Sequence, residues 1–163
     1  MPQPELTGGC QCGAVRYRAA SLGRAALCHC RMCQKAFGSF FGPLVTGFGV
    51  TWTRGEPSWF QSSDVARRGF CRDCGTPLAY DLGPDDGSLE MAIGTLDNPE
   101  RAPPTIHVNT HDRLSFFETL TALPVRDESV RPLTERRKGA PVVSHQHPDH
   151  DTAVWPPKEG FAA

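Results

Sequence analysis

The seven cysteines restrict what this chain can fold into more than any other feature, because they fall at only three places. They stand as Cys10-x-Cys12, Cys28-x-Cys30-x-x-Cys33 and Cys71-x-x-Cys74. In extended backbone, residues two apart share a face, so a Cys-x-Cys pair aims both sulfurs at one ion. A tight turn in Cys-x-x-Cys does the same, with sulfurs about 2.3 Å from a zinc. An odd number of thiols counts against complete disulfide pairing. In a reducing compartment, paired spacings of this kind read as metal ligands.

Local chemistry suggests how the groups combine. Cys12 is followed by Gly13 and Cys74 by Gly75, so "CQCG" and "CRDCG" are matching knuckles. A glycine there permits positive φ and brings backbone N–H groups toward the thiolates. The two knuckles read as halves of one four-thiolate site that clamps the first strands to the middle of a sheet. Buried free thiols are the alternative for these four. Cys28, Cys30 and Cys33 remain, and three protein ligands with a fourth position open is the arrangement of a catalytic zinc. Three thiolates make the ion a poor activator of water, yet a further thiolate still suits this borderline-soft metal. A small thiol, held as an oriented nucleophile, is therefore expected there rather than a hydrolytic water. His29 could instead complete the set. Strand geometry points it away from Cys28 and Cys30, toward a hydrogen bond within the fold or a proton-carrying role. Without metal, "CHCRMC" could serve as a redox sensor.

The remaining sequence reads as mainly β. Val15 and Tyr17 of "AVRYRA" share one strand face, with Arg16 and Arg18 on the other. "PLVTGFGVTWT", "SWFQSS", "PLAYDL", "SLEMAIG" and "TIHVNT" are further strands between Gly-, Pro- and Asp-rich turns. "RMCQKAF" is the one short helix expected, and "LSFFETL" fits strand or helix equally. A chain of 163 residues suits one domain. From Pro124 onward large apolar residues thin out, and six of the fifteen prolines fall there. That segment is expected to be an extended tail that wraps the domain or stays disordered. Lysine and arginine number 17 against 18 for aspartate and glutamate, which gives no electrostatic footprint for nucleic acid or an anionic membrane. No apolar run approaches the length of a membrane span, and "MPQPELTGGC" lacks a secretory pattern, so a soluble, cytoplasmic protein is expected.

"GGCQCGAVRY", "CHCRMCQKAFGS", "RRGFCRDCGTPLAY" and "IGTLDNPE", in this order, resemble the glutathione-dependent formaldehyde-activating enzyme family, also known as the Gfa or centromere-protein-V-like domain. The resemblance covers residues 8–124, leaving 1–7 as a lead-in and 125–163 as the tail. It implies a zinc-binding β-tent fold and two zincs per chain. Cys10, Cys12, Cys71 and Cys74 would hold a structural ion; Cys28, Cys30 and Cys33 would hold a catalytic one. The implied activity is a carbon–sulfur lyase reaction that joins a thiol such as glutathione to an aldehyde such as formaldehyde. Two departures stand out. Phe116 and Phe117 occupy a region where family members commonly carry a tryptophan, a change expected to touch a pocket wall. The tail with "HQHPDHD" lies outside the motifs.

The other candidates carry blander readings. His145, His147 and His150 could bind a transition metal, but a solvated tail is favoured because ordering it costs entropy. His107 is expected to be half-buried and hydrogen-bonded. Arg67 and Arg68 could meet a substrate carboxylate. Phe37, Phe40 and Phe41 are expected in the core or a pocket wall. The competing function is a non-enzymatic, zinc-stabilised protein-binding module. Chromatin binding of that kind would need a basic segment, which the charge balance does not provide.

Overall fold

The computed structural model describes residues 6–83, 86–126 and 144–156. The expected mainly-β, single-domain architecture is present, in two sheets. Strands β1 (Leu6–Gly9), β2 (Arg16–Ala19), β3 (Ser21–Cys28), β4 (Gly42–Phe48) and β5 (Thr51–Arg54) come first. They are followed by β6 (Ser58–Gln61), β7 (Arg67–Phe70), β8 (Pro77–Asp81), β9 (Leu89–Ala92) and β10 (Ile106–Val108). The small sheet runs β1-β2-β5 and the large one β10-β3-β4-β9-β8-β7-β6. All pairings are antiparallel except β10 on β3, where Val108 lies opposite Cys28.

Helix α1 spans Arg31–Phe37, the heptad expected from sequence, and Gly38 closes it in the left-handed conformation. "PLVTGFGVTWT" is two strands rather than one. A turn at Gly49 and Val50 sends β4 into the large sheet and β5 into the small one. "LSFFETL" is neither strand nor α-helix: Ser115–Ala122 winds as a 3-10 helix. Strands β1, β3 and β7 lack a clean hydrophobic alternation, which is why sequence reading passes over them. The larger of two apolar clusters draws on both sheets, and its fully buried side chains include Tyr17, Val45, Leu78 and Met91. Tyr17 meets Trp52 edge-on at 5.9 Å, and its hydroxyl lies 2.9 Å from Thr95 Oγ1. No helix among the described residues is long and apolar enough to cross a membrane.

Alternation along β2 holds for Arg18, which is exposed, and fails for Arg16, which is only 2% exposed. The cause is a pair of carboxylates. Arg16 Nη1 and Nη2 donate to the two oxygens of Asp97 at 2.8 and 2.5 Å. Its Nε donates to Asp151 at 2.7 Å. Asp151 belongs to the C-terminal segment, whose described residues 144–156 are packed on the domain. Trp155 Nε1 donates to Cys12 O at 2.6 Å, His147 N donates to Gln11 O at 2.7 Å, and Arg54 Nη2 donates to Thr152 O. The solvated reading of the tail histidines therefore holds for His145 and His150, which are exposed, and is corrected for His147, which is 3% exposed. The His147 Nδ1–H donates to Pro148 O at 2.7 Å, and Nε2 faces Thr152 Oγ1 at 3.0 Å. Residues 1–5 of the lead-in, and 127–143 and 157–163 of the tail, lie outside the described residues.

Burial alone would raise the Asp97 carboxyl, but hydrogen bonds from Arg16 and Thr7 and the Arg16 charge outweigh it and hold the group below the usual aspartate range. A depressed folded-state value stabilises the fold above the ordinary aspartate pKa, near pH 4, and that stabilisation is lost as acid protonates the group. Asp97→Asn leaves the buried Arg16 with Asp151 as its one remaining carboxylate partner, at a cost of about 3 kcal/mol. Urea unfolding at pH 7 should show that loss, and the gap to wild type should narrow as pH falls below about 4. An unchanged gap at low pH would show that the pair does not act through ionisation.

Candidate metal centres

The first cluster is built from two knuckles with the same hydrogen-bond plan. Cys10 N donates to Val15 O at 2.9 Å and Gly13 N to Cys10 O at 3.0 Å. In the second knuckle, Cys71 N donates to Thr76 O and Gly75 N to Cys71 O, both at 2.9 Å. Gly13 and Gly75 take φ values of 80° and 76°, the positive φ anticipated for both. Gln11 N donates to Thr76 Oγ1 at 3.0 Å and ties the knuckles together. The Sγ atoms of Cys10 and Cys12 are 3.6 Å apart, and those of Cys12 and Cys71, 59 residues distant in sequence, are 3.8 Å apart.

The second cluster sits where β3 ends and α1 begins. Cys28 is the last residue of β3. Cys30 caps α1, its Sγ accepting from Cys33 N at 3.4 Å. Cys33 lies one turn into the helix and is buried. Cys28 and Cys30 Sγ are 3.5 Å apart. Asn109 Nδ2 donates to Cys28 Sγ at 3.3 Å, and Arg68 Nη2 donates to Cys33 Sγ at 3.5 Å. Hydrogen bonding with Cys33, against burial and helped by Asn109, brings the Cys28 thiol down to about 4. The same interaction, with burial, drives the Cys33 thiol upward.

Both clusters fit a tetrahedral thiolate-bound cation. Bonds of about 2.3 Å require sulfurs about 3.8 Å apart, whereas a disulfide requires about 2.05 Å. All seven cysteines are free, and within each cluster the sulfurs lie within 4.8 Å of one another. Among the described residues, these are the two groups of side chains that could hold a metal ion.

The trio opens into a cavity of about 620 Å³. Leu44, Met32, Leu82 and Val108 supply apolar wall, while Arg24, Arg31 and Arg68 are set against Glu90 and Asp112. Tyr80 also lines it, under the Arg68 guanidinium at 4.6 Å. Arg67 points elsewhere, pairing with Asp81 at 2.7 Å and lying over Trp59 at 4.3 Å. Asn109 is the functional-looking residue that sequence reading passed over. It ends "IHVN" at φ 53°, a left-handed conformation asparagine tolerates better than most residues, and so aims its amide at Cys28.

His29 points away from both neighbouring cysteines, as strand geometry requires. Fully buried, it packs edge-on against Phe117 at 4.7 Å, with Nε2 at 2.9 Å from His107 Nδ1. Burial lowers its pKa, and the neighbouring His107 and Arg113 add to that, so the ring stays neutral near pH 7. His107 is hydrogen-bonded as anticipated, although it is exposed rather than half-buried. Gln34 Nε2 donates to His29 O at 2.6 Å and Asp112 O at 3.0 Å, fixing the loop from behind. Phe37 packs beside the trio, while Phe40, Phe41, Phe116 and Phe117 form an aromatic cluster around His29. None of these phenylalanines lines the cavity, so the expected effect of Phe116 and Phe117 on its wall is not seen.

Fold and sites thus define a mainly-β protein with two separate cysteine centres, one complete in four sulfurs and one offering three beside a cavity. Residues 5–112 match the family described as glutathione-dependent formaldehyde-activating enzyme, and the chain belongs to that family. A crystal structure of a Rhodobacter sphaeroides protein has a similar fold, with a TM-score of 0.52 and 22% identity, covering 63% of this chain and 100% of that one. None of the curated proteins compared with the chain matches it.

The two knuckle glycines differ in one respect that can be measured. A Cβ on Gly75 meets nothing within 4 Å, whereas one on Gly13 would lie 2.1 Å from His147 Cδ2. Gly75→Ala should cost only the left-handed strain, about 1 kcal/mol. Gly13→Ala should cost roughly twice that or more, because the buried His147 ring must also move. Thermal unfolding of the two variants gives the comparison; equal losses would show that the C-terminal segment does not rest on this knuckle.

Proposed function

We propose that this chain is a zinc-dependent carbon–sulfur lyase that forms or breaks the adduct between a small glutathione-like thiol and a formaldehyde-like aldehyde. Family membership supports a glutathione- and formaldehyde-related role in general. The observation that carries the more specific reading is a difference between the centres. Cys10, Cys12, Cys71 and Cys74 are a full ligand set, whereas Cys28, Cys30 and Cys33 leave one position open and all three line the cavity. The first set is assigned to a structural zinc and the second to a catalytic one. Bound to the trio, zinc supplies a centre that favours the thiolate form of an added thiol.

The protein's own groups do the rest. Arg24 and Arg31 on the cavity wall suit the carboxylates of a glutathione-like thiol, and Glu90 and Asp112 suit its amino group. In adduct formation the sulfur bonds the carbonyl carbon, the C=O π pair moves onto oxygen, and that oxygen takes one proton. Tyr80 is the hydroxyl among the lining residues, and burial raises its phenol, which keeps it protonated and able to donate. The reverse reaction breaks the C–S bond and returns the proton. Free thiols throughout the chain suit a reducing, cytoplasmic setting.

Metal analysis of purified wild type should find two zinc ions per chain, falling to one in Cys30→Ser. Calorimetric titration with glutathione should give binding to wild type and none to the variant. A wild type holding a single zinc, or a variant that binds glutathione as well as wild type does, would overturn the assignment.

A further inference from the structure

Every sulfur of the trio accepts an N–H hydrogen bond, and donors of three different kinds reach them. Cys28 accepts from the Asn109 amide at 3.3 Å, Cys30 from the Cys33 backbone at 3.4 Å, and Cys33 from the Arg68 guanidinium at 3.5 Å. One donor therefore carries a full positive charge. The hydrogen bonds that reach the four-cysteine cluster come from neutral groups: Val15 N to Cys10 at 3.3 Å, and the Thr76 hydroxyl, 3.1 Å from Cys74.

Arg68 is placed for this contact by the sheet. It stands opposite Tyr80 in the β7–β8 register, and its guanidinium lies over that ring at 4.6 Å. Among the described residues no carboxylate forms an ion pair with it, whereas its neighbour Arg67 pairs with Asp81. The Arg68 charge is thus directed at the sulfur centre.

That placement answers an electrostatic difficulty. Three thiolates on a divalent ion carry a formal charge of minus one, and a fourth, exogenous thiolate would raise this to minus two beside partly apolar walls. A cation on Cys33 returns the assembly to minus one. We propose that Arg68 is a charge-compensating positioning residue, which lets the three-cysteine centre accept an anionic sulfur ligand and so selects thiolates over neutral ligands at the open position. The inference rests on the assignment of a metal with one open position to this centre. The four-cysteine set would reach the same formal charge on a divalent ion, but its fourth thiolate is built into the chain and does not have to be drawn from solution.

The test uses full-length protein loaded with cobalt(II), whose sulfur-to-metal absorption reports ligands directly and independently of turnover. The probes are 2-mercaptoethanol, which has no carboxylate for Arg68 to hold, and imidazole, a neutral ligand. Arg68→Gln keeps a hydrogen-bond donor without the charge, and Arg68→Lys keeps the charge. The glutamine variant should bind 2-mercaptoethanol on the order of tenfold more weakly, or worse, and imidazole within about twofold of wild type. The lysine variant should recover thiol binding to within about threefold. Unchanged thiol binding in Arg68→Gln, or an equal loss for both probes, would overturn the charge role while leaving the open position intact. Failure of wild type to bind either probe would overturn the open position and this inference with it. Arg68→Met replaces the glutamine variant should that one not fold.

Discussion

The convergence of four sulfurs from two distant knuckles is the constraint on which the rest of the fold depends. Cys10 and Cys12 close the turn between β1 and β2, and Cys71 and Cys74 close the turn between β7 and β8. Those turns belong to different sheets, yet Cys12 and Cys71 bring their sulfurs to 3.8 Å. Burial sends the Cys12 thiol upward and raises Cys71 to about 11, whereas at Cys74 burial is outweighed by hydrogen bonds with Thr76 and Cys12, which bring the thiol down to about 6. A bound cation would favour the thiolate form of all four, and metal affinity and the joining of the sheets would then be one free energy. The C-terminal segment is laid over this corner, with Trp155 on the Cys12 carbonyl and His147 against Gly13.

The sequence carried the chemistry more legibly than the architecture. Cysteine spacing marks both clusters because two sulfurs separated by one or two residues can reach one ion whatever fold surrounds them. Gly13 and Gly75 were readable for the same local reason: positive φ is a property of a turn. Helix α1 was readable because "RMCQKAF" runs unbroken by proline or glycine between Cys30 and Gly38. Strand identity was harder. Short strands such as Leu6–Gly9 and Arg67–Phe70 hold too few residues to establish a period, and nothing local says that Gly49 and Val50 end one sheet and begin another.

Burial of polar groups by distant segments was the least legible feature. Burial alternation along β2 breaks at Arg16, whose guanidinium is held by Asp97 and Asp151, 81 and 135 residues away. His147 follows the same logic. Proline content and low hydrophobicity describe the segment around it accurately, but they are blind to the carbonyls of Gln11 and Cys12 that it finds. Asn109 escaped because its role depends on a φ of 53° at the end of a three-residue strand, and on a parallel pairing that sets Val108 opposite Cys28.

Strand β7 gives the two centres a shared mechanical support. In four residues it presents Arg68 to the trio and delivers Cys71, one residue past its end, to the four-sulfur cluster. Its position against β8 is held at one end by the Cys71–Thr76 turn and along its length by the Arg68–Tyr80 register. A cation held by the first cluster would therefore fix more than the meeting of two sheets. It would also fix the strand from which a guanidinium reaches Cys33, more than thirty residues earlier in the chain. The complete site and the incomplete one differ in what they can bind, but the geometry of the second is set partly by the first. A strand anchored by four sulfurs can hold a positive charge beside three others with little freedom to drift, which is the preorganisation that a site for an anionic ligand requires.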